Sequence, residues 1–427
     1  MDSQQILQIL KDWNFWGAGL QTGIKRPLYL AKMQEILNTG LILTVVGSRR
    51  SGKSYLMRQL AWELMDQGIS KNNILIVNFE DSRWLGLDTA KLDKIFQTYL
   101  EYCRPRGQIY LFLDEIQQVY RWEKWVRTIH ELNKAKIVIS GSNSKLLSQE
   151  LATTLTGRHL DIRIIPLSYA EFLEFRNLPQ NDSSALTEYL QTGGFPEAVL
   201  NVPAREILGR YFADIINNDV VRRYKIRKND KIFQLANFYQ SNFSALVTNS
   251  ALAKHLQITT DTAIKFSQYL ETVFLNYLLD RWSNKLKVQH NSPKKVYSVD
   301  TGLALAIGFF TSPNWGRLAE NAVFLQLERS KINYPNREIY YWKDNLHREV
   351  DFVIKDSSKP TRALQVCWDM SHLDTQKREC NNLIRCLNDL GLTQGEIITS
   401  ELEKEENIQG KIIKYVKLGN FLQELAP

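Results

Sequence analysis

The stretch LILTVVGSRRSGKSYL, residues 41–56, sets the tightest limit on what this chain can fold into. An apolar, partly β-branched run reads as a buried strand; it meets glycines and then residues that continue as a helix. Inside it, Gly47-Ser48-Arg49-Arg50-Ser51-Gly52-Lys53-Ser54 fits Gly-x4-Gly-Lys-Ser/Thr. The glycines let the backbone curl so that successive amide hydrogens point inward at phosphate oxygens, and the following helix aims its positive end at the same place. Lys53 supplies a mobile positive charge to the terminal phosphates, and the Ser54 hydroxyl is a magnesium ligand. Tyr55, next in the chain, belongs to the same nucleotide-contacting set.

A second signal fits the first. In IYLFLDEIQQV the apolar residues 109–113 run into Asp114 and Glu115, as a buried strand does when it delivers acids to its C-terminal edge. Asp114 is expected to hold magnesium through a water, and Glu115 to orient and deprotonate an attacking water. Hydrolysis, as distinct from binding, rests on Glu115. The next strand ends ISGSN, which brings Ser140, Ser142 and Asn143 towards the γ-phosphate edge. Ser142 and Asn143 are the candidate polar sensors, with a plain turn as the other reading. Arg158, in LTGRHLD, either neutralises transition-state charge, in its own chain or a neighbouring copy, or serves structure only.

The pattern around these motifs alternates. Strand-like runs at 41–46, 73–81, 108–115, 135–143 and 160–168 are separated by helical segments such as KLDKIFQTYLEYC and WEKWVRTIHELN. That alternation argues for a mostly parallel α/β sheet covered by helices. The expected divisions are two amphipathic helices over 1–40, a P-loop core over 41–170, a helical lid or linker over 171–240 broken by the turn TGGFPEA, a compact unit over 241–310, and a tail over 311–427.

At 427 residues, with 44% hydrophobic and 23% charged residues, the chain has the composition of a soluble protein of two or three domains. No window approaches a membrane span, and the start lacks the basic and apolar layout of a secretion signal. Cys103, Cys367, Cys380 and Cys386 show no zinc-type pairing, and reduced thiols in the cytoplasm are the plain reading. The net charge of +8 permits an acidic partner. Its densest cluster, RRYKIRKNDK at 222–231, is either a phosphate-contacting face or an exposed helix end.

The ordered series of P-loop, VNFED, FLDEIQQVYRWEKWVR, ISGSNSKLL, LTGR, PLSYAEFLEF and GGFPEAV resembles prokaryotic predicted AAA+ ATPases. These have an AAA_14-type core and a C-terminal domain of unknown function of the 4143 family. The resemblance spans nearly the whole chain. It implies an ATPase core using ATP and Mg2+, with Arg49 and Arg50 as that family's basic loop, and brings no settled biological role.

Residues 245–282 have the logic of a helix-turn-helix. Ala251, Leu252 and Leu256 stripe a first helix, ITTD is the turn, and Ile264, Tyr269, Leu270 and Phe274 face inward on a second. YLLDRWSNKLKV and KKVYSVD are expected to pair as a wing. A reader of double-stranded DNA built on 245–300 would present Thr262, Lys265 and Gln268 to a groove and Lys285, Lys287, Lys294 and Lys295 to phosphates. Packing beside an ATPase core is the rival use of such a winged module.

The tail resembles a restriction-type nuclease layout, with Glu320 on a helix, Asp351 on a strand and a further strand behind. Where Glu-x-Lys belongs it has Gln365-Val366-Cys367. An amide brings no charge to a metal and a thiol does not replace an ammonium, so a degenerate nuclease-like domain is expected. The expected function is a magnesium-dependent AAA+ ATPase that repositions these modules on nucleic acid or a protein. The alternatives are an ATP-switched binding protein with little hydrolysis and an ATP-dependent DNA nuclease. A homo-oligomer is a further expected partner arrangement.

Overall fold

Five apolar runs near the amino end assemble into one parallel sheet in the computed structural model, which describes residues 1–17, 19–84, 86–142, 157–180 and 183–424. The chain divides into two units, Met1–Ile164 and Ile165–Pro427.

In the first unit the strands are β1 (Ile42–Gly47), β2 (Ile74–Asn78), β3 (Tyr110–Asp114), β4 (Lys136–Gly141) and β5 (His159–Ile164), in spatial order β2-β3-β4-β1-β5. All neighbouring pairs are parallel. β1 and β3 are buried at every residue, as continuous apolar runs require when helices cover both faces of a sheet. With every strand pointing one way, the ends of β1, β3 and β4 open on a single edge. The expected mostly parallel α/β sheet is therefore present. The helix Ser3–Asp12 begins with a reciprocal cap, Asp2 accepting from the Gln5 amide at 2.8 Å and Gln5 from that of Asp2 at 3.0 Å. Pro27 opens the helix Pro27–Asn38, where its missing N–H costs nothing.

The second unit begins with helices. In TGGFPEA, a Cβ on Gly194 would lie 2.3 Å from the Leu167 carbonyl oxygen. Gly193 adopts a φ of 75° against Asp300. The Asp300 carboxylate accepts from the Gly194 and Leu303 amides at 2.6 and 2.8 Å, so the glycine turn is bound to the start of the helix Thr301–Ile307. A helix pair, Asn249–Leu256 and Thr260–Thr272, adjoins a three-stranded sheet of β6 (Ala245–Val247), β7 (Asn276–Leu279) and β8 (Lys294–Ser298), ordered β6-β8-β7. β7 and β8 pair antiparallel as expected, and their connection contains a helix, Leu286–Asn291.

The last part is a mixed six-stranded sheet, ordered β13-β14-β12-β11-β10-β9. It comprises β9 (Arg337–Lys343), β10 (Glu349–Asp356), β11 (Lys359–Val366), β12 (Gln394–Thr399), β13 (Lys404–Ile408) and β14 (Lys411–Lys417). The helix Leu373–Leu390 covers it with Leu383, Ile384, Cys386 and Leu387. No described helix is long and apolar enough to cross a membrane.

Candidate functional site

The loop after β1 is shaped by close approach. A Cβ on Gly47 would lie 2.2 Å from the Ile164 carbonyl oxygen, which leaves room for glycine alone. Arg50 and Gly52 take φ of 69° and 100°, turning the chain into the helix Lys53–Asp66. The Lys53 ammonium is buried inside this curl, 3.2 Å from the Gly47 carbonyl oxygen and 3.1 Å from that of Ser48. Among the described residues, the buried hydroxyls of Ser48 and Ser51 have no hydrogen-bond partner. A lysine folded onto its own loop beside two orphaned hydroxyls fits a cradle whose natural occupant is a phosphate chain.

β3 delivers the acids to the same edge. Lys53 Nζ lies 3.5 Å from Glu115 Oε1, and the Ser54 hydroxyl lies near enough to Asp114 to help lower its pKa. Burial, then the neighbouring charge of Glu115, raises the Asp114 pKa, while Ser140, Ser54 and Lys53 pull it back. This is the environment of a carboxylate that gains from a cation beside it. Glu115 has a φ of 52° directly after the strand, and its carboxylate accepts from the Gln117 side-chain amide.

Lys53, Ser54, Asp114 and Glu115 thus converge as the spacing implies. Ser142 is buried at the end of β4, while Asn143 lies outside the described residues. Arg49 pairs with Glu80 at 2.9 Å. Arg50 is exposed on the loop, and Tyr55 is exposed with its ring 5.1 Å from the Arg58 guanidinium carbon. Arg158 is not brought to the loop. It precedes β5 beside the start of β1, a strand length of about 16 Å from Gly47, and it pairs with Glu131 at 3.1 Å.

Two residues matter more than their sequence context suggested. The Ser140 hydroxyl donates to the Asp114 carboxylate and accepts the Glu115 amide N–H at 2.9 Å, fixing both acids from the strand between the loop and the acids. Its place at the end of an apolar strand was the available signal. Arg26, buried, donates from Nη1 to the Ser51 carbonyl oxygen at 3.1 Å and supports the loop from below. No motif marked it.

The second unit carries another charged cluster. The Lys295 ammonium lies 2.7 Å from Asp351 Oδ1, 2.9 Å from Glu320 Oε1 and 2.9 Å from Glu349 Oε1. Lys294 pairs with Asp280. Neither lysine is free to reach a phosphate, contrary to their expected place on a wing, because both side chains turn toward carboxylates of adjoining elements. Gln365 accepts the Asp351 amide at 3.2 Å, and Asp351 Oδ2 accepts the Val366 amide at 2.9 Å. Burial pushes the Cys367 thiol up to about 12, far from a reactive thiolate.

The parallel sheet, glycine cradle and paired acids define a P-loop core of the AAA+ type. Residues 39–173 match the AAA domain family AAA_14, residues 183–313 match a domain of unknown function (DUF8612), and residues 315–420 match another (DUF4143). The chain is 31% identical over 415 residues to the uncharacterized protein MJ1544 of Methanocaldococcus jannaschii, covering 91% of this chain and 87% of that one. It is 30% identical over 406 residues to an uncharacterized protein of Haemophilus influenzae, covering 92% and 97% respectively. Among solved structures, the S. cerevisiae Hsp104:casein complex aligns at a TM-score of 0.30 and 12% identity, over 59% of this chain and 50% of that one. The chain belongs to the family that joins an AAA_14 domain to a C-terminal DUF4143 domain.

Proposed function

We propose that this protein binds and hydrolyses ATP with Mg2+ and uses the cycle to reposition its second unit on double-stranded DNA. The observation that carries this reading is the convergence of Lys53, Ser54, Asp114 and Glu115 within one buried cradle.

The loop amides from Ser48 to Lys53 wrap the phosphates, and Lys53 exchanges its loop carbonyls for phosphate oxygens. Ser54 and Asp114 would hold magnesium, which when bound neutralises charge on the transferring phosphoryl group. Released by Lys53, Glu115 accepts the proton of the attacking water. Ser142, which follows β4 at this edge, acts as a sensor, and Asn143 is the second sensor candidate. Arg158, remote from its own loop, would serve a neighbouring copy's site in a homo-oligomer. The free cysteines fit a cytoplasmic setting.

For the DNA contact, support comes from the helix pair. Thr259 caps the second helix by accepting the Thr262 amide at 3.2 Å, and Lys265 and Gln268 are exposed on it. With the three-stranded sheet behind, the pair supports reading this unit as a winged helix-turn-helix module. The tail is read as a nuclease-like fold without cleavage, since Lys295 already neutralises its carboxylates.

The test compares ATP turnover in wild type, Lys53→Ala and Glu115→Gln. Turnover should fall by about 100-fold or more in Glu115→Gln while ATP affinity persists. Equal, negligible rates in wild type and Glu115→Gln would leave an ATP-switched binding protein. Asp351-dependent plasmid nicking would establish the nuclease instead.

A further inference from the structure

We infer that residues 222–228 form a phosphate-gripping strip for duplex DNA beside the helix Thr260–Thr272, an inference resting on the reading that this helix meets DNA. The segment RRYKIRK is sorted by side. Val221, Tyr224 and Ile226 pack against the core cluster of the helical region. Arg222, Lys225, Arg227 and Lys228 are exposed and Arg223 is half-buried. These are five cations within seven residues. None of the five has a carboxylate partner among the described residues. Lys231, just beyond, pairs weakly with Asp230 at 4.0 Å.

The strip is held in place rather than trailing. It follows directly from the π-helical segment Ile215–Arg222, and the Ile226 amide donates back to the Val221 carbonyl at 3.1 Å. Its Tyr224 ring stacks on Tyr269 with centroids 3.9 Å apart and planes 13° from parallel. Tyr269 stands one turn beyond Lys265 on the same side of its helix. The stack therefore sets the unpaired cations alongside the face that carries Lys265 and Thr262.

The partner's chemistry follows from what the strip offers. It has positive charge in excess and no aromatic ring to spare, because Tyr224 is committed to Tyr269. Single-strand binders need open rings for base stacking. A row of cations next to a helix fits a duplex, where backbone contacts set orientation and the helix meets base edges.

The experiment titrates a short labelled duplex with the full chain at about 50 and about 200 mM salt. It compares wild type, the quadruple variant Arg222→Ala/Lys225→Ala/Arg227→Ala/Lys228→Ala, and Lys265→Ala/Gln268→Ala. The quadruple variant should bind at least about tenfold more weakly at the lower salt, with the slope of log affinity against log salt flattened by about 3–4. Its ATP turnover without DNA should match wild type. Should it misfold, the single reversals Lys225→Glu and Arg227→Glu carry the same test, each flattening the slope by about one. Wild-type affinity and slope in the strip variants, with loss in Lys265→Ala/Gln268→Ala, would overturn the strip and spare the duplex reading. No binding by wild type at either salt would remove both. Displacement by polyglutamate as readily as by duplex would also overturn the strip, pointing to an acidic protein.

Discussion

Lys295 on β8 and Asp351 on β10 meet through a 2.7 Å ion pair deep in the second unit, with Glu320 and Glu349 completing the shell. Burial works against the ammonium, yet Asp351 and Glu320 outweigh it and hold the Lys295 pKa well above the ordinary lysine range. The lysine is what makes three clustered carboxylates tolerable. Lys295→Met should therefore destabilise the unit by about 3–5 kcal/mol, the cost of leaving a buried charge unpaired. Adding Asp351→Asn should restore part of that loss, since it removes one of the orphaned charges. Thermal and denaturant unfolding of the three proteins decide it. A Lys295→Met midpoint equal to wild type would show the cluster to be solvated instead.

The same cluster predicts a pH dependence. Burial and then the Asp351 charge raise the Glu320 pKa from 4.5 to about 8. Between those values the folded chain keeps a proton that the unfolded chain has released, so this group's stabilising contribution is full below about 4.5 and is lost as pH rises through about 8. Glu320→Gln keeps an oxygen for Lys295 and for the Tyr297 hydroxyl, which donates to Glu320 at 2.7 Å. The variant should gain steadily on wild type as pH rises from about 5 to 8, by about 4 kcal/mol at the upper end. Parallel melting curves across that range would argue against a shifted Glu320.

What could be read in advance divides along physical lines. The P-loop and its acids were legible because their chemistry is local: a cradle needs glycines at fixed spacing, and a buried strand announces itself by unbroken apolar residues. Arg26 and Ser140 act through partners 25 or more residues away, at the Ser51 carbonyl and the Glu115 amide, and such pairings leave no spacing to read. Lys295 looked like a solvent-facing wing residue because the carboxylates that bury it arrive from two later elements. β13 and β14 lack such an unbroken run, because KEENI and KIIKYVK are polar on one side or both. Yet Gln409 and Gly410, with φ of 53° and 78°, form the tight turn that joins them.

Ser140 gives a prediction for the ATP site. Removing its hydroxyl leaves the buried Glu115 amide without its acceptor and takes away a bond that lowers the Asp114 pKa. Ser140→Ala should raise that pKa further, so the acid competes less well for magnesium as pH falls. The expected result is a turnover loss of about tenfold or more, partly recovered by higher magnesium and higher pH. Loss that neither condition relieves would assign Ser140 a packing role only.

The outer edge of β2 yields the last expectation. As the terminal strand of the parallel sheet it exposes unpaired backbone groups, a site for unwanted pairing. Asn14, fully buried, satisfies two of them as a neighbouring strand would. Its Oδ1 accepts the Ile76 amide at 2.7 Å, and its Nδ2 donates to the Ile76 carbonyl at 2.8 Å and to the Leu10 carbonyl at 2.8 Å. Trp16 extends the cover by donating to the Ile74 carbonyl at 3.1 Å. Asn14→Leu keeps the volume but strands both Ile76 groups, for a cost of about 2–4 kcal/mol. Asn14→Asp keeps the acceptor yet sets a second carboxylate oxygen against the Ile76 carbonyl, so it should be no better. Both variants should melt earlier and scatter light on warming, because the freed edge accepts strands from other molecules. If Asn14→Leu matched wild type in midpoint and scattering, the edge would owe its protection to Trp16 and the preceding helix rather than to the amide.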